Sequence, residues 1–317
     1  MLTPIKKIAN TNMQDGMRLA AVDLGSNSFR LEMGHIEDGR FCRSDYLKET
    51  VRLGNGLDQQ SRLTPQAMQR GWDCLGRFGE RLRDFAPDRL SAVTTQTLRE
   101  AHNRDEFLAQ GGHLLGHAIE VISGEQEARL IYQGVAQTLS DSTERRLVID
   151  IGGRSTELIV GCGCDTRQMA SYPVGSVGWS MRYFADGELS APAFAAAEQA
   201  AKTVLAPAMA FCAPHHWDKA YGSAGTVNAV VDVLAAAGWP PGHVSQDGLD
   251  WLLEKLLAAH HAGQLSMLGL REDRKAIIGG GLSVMRALFA LLGITRLEQS
   301  LGGLRHGLLM DLMRQPA

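Results

Sequence analysis

One pattern occurs twice in this chain, and it limits what the chain can fold into. Val22-Asp23-Leu24-Gly25-Ser26-Asn27-Ser28-Phe29-Arg30-Leu31-Glu32-Met33-Gly34 lies over Ile149-Asp150-Ile151-Gly152-Gly153-Arg154-Ser155-Thr156-Glu157-Leu158-Ile159-Val160-Gly161 at one constant offset. Asp, Gly, Ser, Leu and a final Gly coincide, and several other places are apolar in both copies. Each copy is an apolar run ending in Asp, a turn of small polar residues and a second apolar run, which predicts a β-hairpin with a polar tip. Folding alone does not require the same turn twice. The repeat therefore predicts two similar domains whose tips share a task.

Such a tip suits phosphate. Glycine lets the backbone approach closely, successive N–H groups form an anion nest, and hydroxyls add donors. Gly25, Ser26, Asn27 and Ser28 in the first copy are candidate phosphate ligands, as are Gly152, Gly153, Arg154, Ser155 and Thr156 in the second. Asp150 and Asp23, each closing a strand, are candidate ligands of a hydrated Mg²⁺, with Mn²⁺ as the alternative metal. A third segment, Tyr221-Gly222-Ser223-Ala224-Gly225-Thr226, precedes the apolar Val227 to Leu234. A small-residue turn opening a helix presents free N–H groups, so Gly222, Ser223, Gly225 and Thr226 join the candidates. For each segment taken singly, the plain alternative is an ordinary or closely packed turn.

The remaining composition narrows the function classes. At ~150 residues per domain, 317 residues make about two domains. Hydrophobic residues at 44% and charged residues at 21% are those of a globular protein, while 35 glycines exceed the usual ~7%. A net charge of -3 and a pI of about 6.4 give no global pull toward nucleic acid or acidic membranes. No apolar stretch approaches the ~18 residues of a spanning helix. Lys6 and Lys7 lack a following apolar h-region, so residues 1–17 read as a flexible leader rather than a signal peptide. Five scattered cysteines, an odd count, point to a reduced, cytoplasmic protein.

Asp-Leu-Gly-Ser-Asn-Ser-Phe at 23–29, Asp-Ile-Gly-Gly-x-Ser-Thr-Glu at 150–157 and Gly-Ser-Ala-Gly-Thr at 222–226 together resemble the exopolyphosphatase and guanosine pentaphosphate phosphatase family. That family belongs to the actin-like ATPase, sugar kinase and Hsp70 superfamily. The resemblance runs from about residue 19 to 312. It includes Val51-Arg52-Leu53-Gly54, Thr95-Gln96-Thr97-Leu98-Arg99, Ile122-Ser123-Gly124-Glu125-Gln126-Glu127-Ala128-Arg129 and Gly303-Leu304-Arg305-His306-Gly307. The loops alone indicate the superfamily, and the Ser-Gly-Glu-x-Glu-Ala-Arg segment indicates the phosphatase branch.

The resemblance implies an α/β fold of two actin-like (ribonuclease H-like) domains, mixed sheets flanked by helices, facing across an interdomain cleft. The expected domains are 18–128 with 300–317, and 129–299, the last helix returning to the first domain. The implied activity is that of an exopolyphosphatase, with guanosine pentaphosphate as second substrate and a homodimer as the assembly. Nucleic acid and membrane are not expected partners.

Ser123-x-x-Gln126 reads as a capping box, and acidic residues favour a helix's first turn, which is the plain explanation of Glu125. For Glu127 the family motif implies the general base, a carboxylate that orients and deprotonates water. Glu157 would share positioning of metal or water. Phosphoanhydride hydrolysis asks mainly for in-line placement and charge neutralisation. Arg99 offers a guanidinium fork that matches phosphate, otherwise being a solvated helix residue. Arg52 and Arg305 are weaker candidates for a polyanion track. The family's second loop has a third Gly where this chain has Arg154. If that position needs a positive φ, Arg154 costs roughly a kcal/mol. Otherwise the turn is shifted, or Arg154 adds charge toward the phosphates.

Other signals carry less. Cys162-Gly163-Cys164 has the wrong spacing for zinc and no partner pair. His215-His216 and His260-His261 read as surface residues, and Gly279-Gly280-Gly281 as the start of a tightly packed helix. Longer family members carry a C-terminal metal-dependent phosphohydrolase-like domain. No His-Asp dipeptide occurs here, so only the two-domain core is expected. The rival functions are an ATP-dependent phosphotransferase of the same superfamily and a catalytically silent sensor of guanosine alarmones.

Overall fold

The computed structural model describes residues 14–315. The chain divides into two compact units, one running to Ser140 and resuming at Leu301, the other Asp141–Ser300. The boundary expected near 128 lies inside the first of these units. The helix Gly124–Ala136 stays whole in the first unit, packed along the helix Leu304–Arg314. Most of the leader expected over 1–17 lies outside the described residues. Its described end is tied down: the Gly16 N–H donates to the Ile36 carbonyl, and the Ile36 N–H to the Met17 carbonyl.

The first unit holds a mixed sheet of β1 (Arg18–Leu24), β2 (Ser28–Glu37), β3 (Arg40–Thr50), β4 (Arg89–Thr94) and β5 (Glu120–Val121), in the order β3-β2-β1-β4-β5. The second holds β6 (Arg145–Ile151), β7 (Thr156–Cys162), β8 (Asp165–Tyr172), β9 (Lys219–Ser223), β10 (His243–Ser245) and β11 (Arg296–Gln299), in the order β10-β11-β9-β6-β7-β8. Without the edge strand β10, the second order is the first repeated. In each, two antiparallel pairs made by consecutive strands adjoin a parallel pair (β1 with β4, β6 with β9). The sequence repeat is therefore a repeat of topology.

The central strands explain their own composition. β1 is buried at every position after Arg18, because helices cover both faces of its sheet. Side chains alternate between faces. Ala20, Val22 and Leu24 join a core with Leu75, Phe78 and Phe107, while Leu19 and Ala21 join Leu308, Leu309, Leu312 and Met313. In the second unit Leu147, Ile149 and Ile151 pack in a core with Leu282, Met285 and Leu288 of the helix Ile278–Leu292. Gly279–Gly281 do open that helix at close quarters. A Cβ on Gly280 would lie 2.6 Å from the Ser176 carbonyl. All five cysteines are free thiols. Among the described residues no helix is long and apolar enough to cross a membrane.

The helices Gly124–Ala136 and Leu304–Arg314 meet backbone to backbone. A Cβ on Gly307 would overlap the Leu130 carbonyl, and one on Gly134 the Gly303 carbonyl. Backbone cannot swing aside as a side chain can, so Gly307→Ala is expected to cost about 1–3 kcal/mol of stability. A lowered midpoint in thermal unfolding checks this; an unchanged midpoint would mean that the helices do not touch so closely.

Candidate active site

The first loop closes β1 onto β2 and is braced from outside the hairpin. The Gly54 N–H donates to the Ser26 carbonyl at 2.8 Å, and the Arg52 N–H to the Asn27 carbonyl at 2.9 Å. The Thr97 hydroxyl donates to Ser26 Oγ at 2.7 Å, and Asn27 Nδ2 to Ser28 Oγ at 3.3 Å. Ser26, Asn27 and Ser28 are consequently buried, and Gly25 is the partly exposed residue of the turn. Arg52 holds a left-handed backbone (φ 54°) at this brace, a conformation uncommon for a residue with a Cβ. Arg52, a weaker candidate for a polyanion track, supports the loop through its backbone N–H.

The second loop is fixed by a helix end. Ser176 and Val177 donate their N–H groups to the Gly152 and Gly153 carbonyls at 3.0 and 2.7 Å, and Gly178 donates to Gly153 at 3.0 Å. The helix Ser176–Tyr183 thus spends its N-terminal donors on loop carbonyls. The Gly152 N–H closes the turn by donating to the Ser155 carbonyl at 2.9 Å, whereas the sequence reading offered it to phosphate. Thr156 is buried, its hydroxyl donating to the Val174 carbonyl at 2.6 Å. Gly152, Gly153 and Arg154 form the partly exposed tip. Arg154 is not among the positive-φ residues, so the third glycine is not needed for backbone conformation here.

The third segment ends β9 and opens the helix Ala224–Ala236. The Ser223 hydroxyl donates to Asp150 Oδ2 at 2.5 Å, and the Thr226 hydroxyl to the Ile151 carbonyl at 2.8 Å. Both hydroxyls, expected on phosphate, instead hold the end of β6. Gly222 fits against Val227 and Leu297, the close-packed alternative. Ala224 has φ 67°, local strain of the kind that collects at functional sites.

Glu127 stands in the first turn of the helix Gly124–Ala136 and is 6% exposed. The capping box forms: Ser123 Oγ accepts from the Gln126 N–H at 3.1 Å, and Gln126 Oε1 from the Ser123 N–H at 2.7 Å. Glu125 is exposed, a solvated first-turn acid. Arg99 Nη1 donates to Glu127 Oε2 at 2.8 Å and to the Ile122 carbonyl at 2.9 Å, and its Nε and Nη2 donate to Gln96 Oε1 at 3.1 and 2.7 Å. The expected phosphate fork is therefore a clamp on the carboxylate. Arg305 is likewise engaged: its Nε donates to the buried Glu32 at 3.1 Å, and its guanidinium lies over the Tyr46 ring. Burial pushes the adjacent His306 down to about 4, so it is neutral near pH 7.

Asp150 and Glu157 are directly opposed across the antiparallel pair β6–β7, which places both side chains on one face. Glu157 is 1% exposed, and its Oε1 accepts from the Ser171 hydroxyl at 2.7 Å. Two facing carboxylates repel unless a cation or proton lies with them. Among the described residues no group of three or more His, Cys, Asp or Glu is placed to hold a metal. A cation on this pair would complete its shell with water and phosphate oxygens, which suits Mg²⁺ or Mn²⁺ better than Zn²⁺.

A sequence model described as the Ppx/GppA phosphatase family matches residues 36–315. The chain belongs to that family. It is 42% identical over 296 residues to the guanosine-5'-triphosphate,3'-diphosphate pyrophosphatase of Vibrio vulnificus, covering 93% of this chain and 59% of the relative. The Vibrio cholerae protein of the same name is 41% identical over 295 residues with the same coverage. The chain thus spans about three fifths of the length of these curated relatives. In fold it is similar to an exopolyphosphatase from Cytophaga hutchinsonii (TM-score 0.85, 22% identity, 94% of this chain and 98% of that one). It is also similar to the Aquifex aeolicus PPX-GPPA enzyme (TM-score 0.76, 24% identity, 93% and 99%).

Within this Ppx/GppA architecture, three further residues stand against these segments. A Cβ on Gly175 would lie 2.6 Å from the Arg154 amide nitrogen, so only glycine lets the helix end reach the second loop. The Arg274 guanidinium is buried against Gly225, at the start of the helix Ala224–Ala236, and a Cβ on Gly225 would overlap it. Arg30 pairs with Asp23. Gly175 carries a weak sequence signal, a glycine just past a strand; Arg274 carries none.

Proposed function

We propose that the chain is a cation-assisted phosphoanhydride hydrolase that removes the terminal phosphate of guanosine pentaphosphate and of inorganic polyphosphate. The family resemblance implies polyphosphate as the first substrate. The names of the relatives above 40% identity favour the guanosine nucleotide. The observation that carries the reading is Glu127, a nearly buried carboxylate held at 2.8 Å by Arg99. A general base must be aimed, and the guanidinium on Oε2 holds the carboxylate in one orientation.

Asp150 and Glu157 would hold the divalent cation, which would neutralise charge on the phosphoryl oxygens. In each unit the partly exposed tip, Gly25 in the first and Gly153 with Arg154 in the second, is the part of the loop that would meet phosphate. Ser26, Asn27, Ser28, Ser155 and Thr156 are buried beneath and keep the turns rigid. Rigid donors lose little on binding, which is the advantage of spending hydroxyls on the frame.

The test is phosphate release from guanosine pentaphosphate and from polyphosphate, with Mg²⁺ and with chelator. Release from at least one substrate, abolished by chelator, is expected. Tight binding without release would favour the sensor, and release only to an acceptor hydroxyl would favour the phosphotransferase. Because Arg154 sits at a negative φ, Arg154→Gly is expected to keep activity within about tenfold, a loss of ~1.4 kcal/mol at most. Complete loss would put the guanidinium in the site itself.

A further inference from the structure

The two loops share a backbone but not a charge. A Cβ on Gly25 would lie 3.0 Å from the Ser28 carbonyl oxygen, and one on Gly152 would lie 3.0 Å from that of Ser155. The turns therefore close alike, and each strand-ending aspartate faces the residue directly across its hairpin. In the second unit that residue is Glu157, opposite Asp150. In the first it is Arg30, opposite Asp23. Arg30 Nη1 donates to Asp23 Oδ2 at 2.9 Å, the two side chains being 20% and 5% exposed. The pair lies directly against the turn: Arg30 Nη1 is 3.8 Å, and Asp23 Oδ1 3.7 Å, from where a Gly25 Cβ would stand.

We propose that Arg30 is the built-in counter-cation of the first loop, standing on Asp23 where a divalent ion stands on Asp150 and Glu157, so that the chain takes one such ion and not two. This rests on the cation reading of the Asp150–Glu157 pair. A divalent ion approaching Asp23 would meet a positive charge already at hydrogen-bonding distance from the carboxylate. It would also find no second acid across the hairpin, whereas Glu157 supplies one to Asp150. An arginine stays protonated at any working pH, so the loop keeps its charge balance without a dissociable ligand. The aspartate at 23, counted with the metal ligands from sequence, becomes a positioning residue. It holds the guanidinium beneath Gly25, where a bound phosphate would feel a fixed positive charge.

The test is Mn²⁺ binding to the full chain, followed by the electron paramagnetic resonance of free Mn²⁺. Wild type is expected to bind a single ion, Asp150→Asn to bind it about 100-fold more weakly, and Asp23→Asn to bind it as wild type does. Arg30→Glu recreates in the first hairpin the acid pair of the second and is expected to raise the count to two, while Arg30→Lys keeps it at one. Loss of an ion in Asp23→Asn, or two ions on wild type, would overturn the proposal. A folded Arg30→Glu that still binds one ion would do the same. If Arg30→Glu fails to fold, Asp23→Asn decides alone. No ion on wild type would instead overturn the Asp150–Glu157 reading beneath it.

Discussion

Replacing Glu127 by Gln is expected to lower phosphate release by about 10²–10⁴-fold with the fold retained. The substitution keeps the size of the side chain and an oxygen that can accept from Arg99 Nη1, now 2.8 Å away. It removes the ability to take a proton from water. It also leaves the Arg99 charge without its counter-ion in a site where Arg99 is 18% exposed. Because Gln96 and the Ile122 carbonyl still accept from that guanidinium, the loss of stability is expected near ~1–2 kcal/mol, below the ~3–5 of a fully stranded buried charge. Thermal melts beside phosphate-release assays separate the two effects. Activity within a few-fold of wild type would remove Glu127 as the base. A parallel loss in the melting midpoint, large enough to unfold the chain at the assay temperature, would assign it to structure.

Asp150→Asn is expected to cost about 10²–10³-fold in activity, by halving the charge available to the cation. The amide can turn its oxygen to accept from Ser223 Oγ, so the end of β6 stays attached to β9. The variant is therefore expected to stay folded without metal yet be poorly active, with partial recovery at high Mg²⁺. An unchanged Mg²⁺ dependence would sink the assignment. So would a fall in stability without metal, since that would make Asp150 a structural acceptor first.

Much of this was legible in the chain. The repeat at 22–34 and 149–161 announced two hairpins and, through them, two sheets of one topology. Ser123 and Gln126 announced the start of the helix that carries Glu127, and the capping box is there. These are local features: turn residues, strand period and caps act over a few positions, so their order in the sequence is enough.

The fate of each polar side chain was not legible. Arg99 and Glu127 are 28 positions apart, Thr97 and Ser26 71, and Ser223 and Asp150 73. Whether a hydroxyl or a guanidinium meets a ligand or a neighbouring strand depends on which elements come to lie beside it. Burial then makes the choice, because a buried donor left unmatched is costly and takes the nearest acceptor the protein supplies. By itself the sequence determined the repeated strand–turn–strand units and the position of the acids at their ends. Only the tertiary structure decided that Arg99 serves Glu127, that the loop hydroxyls face inward, and that register sets an arginine against one aspartate and a glutamate against the other.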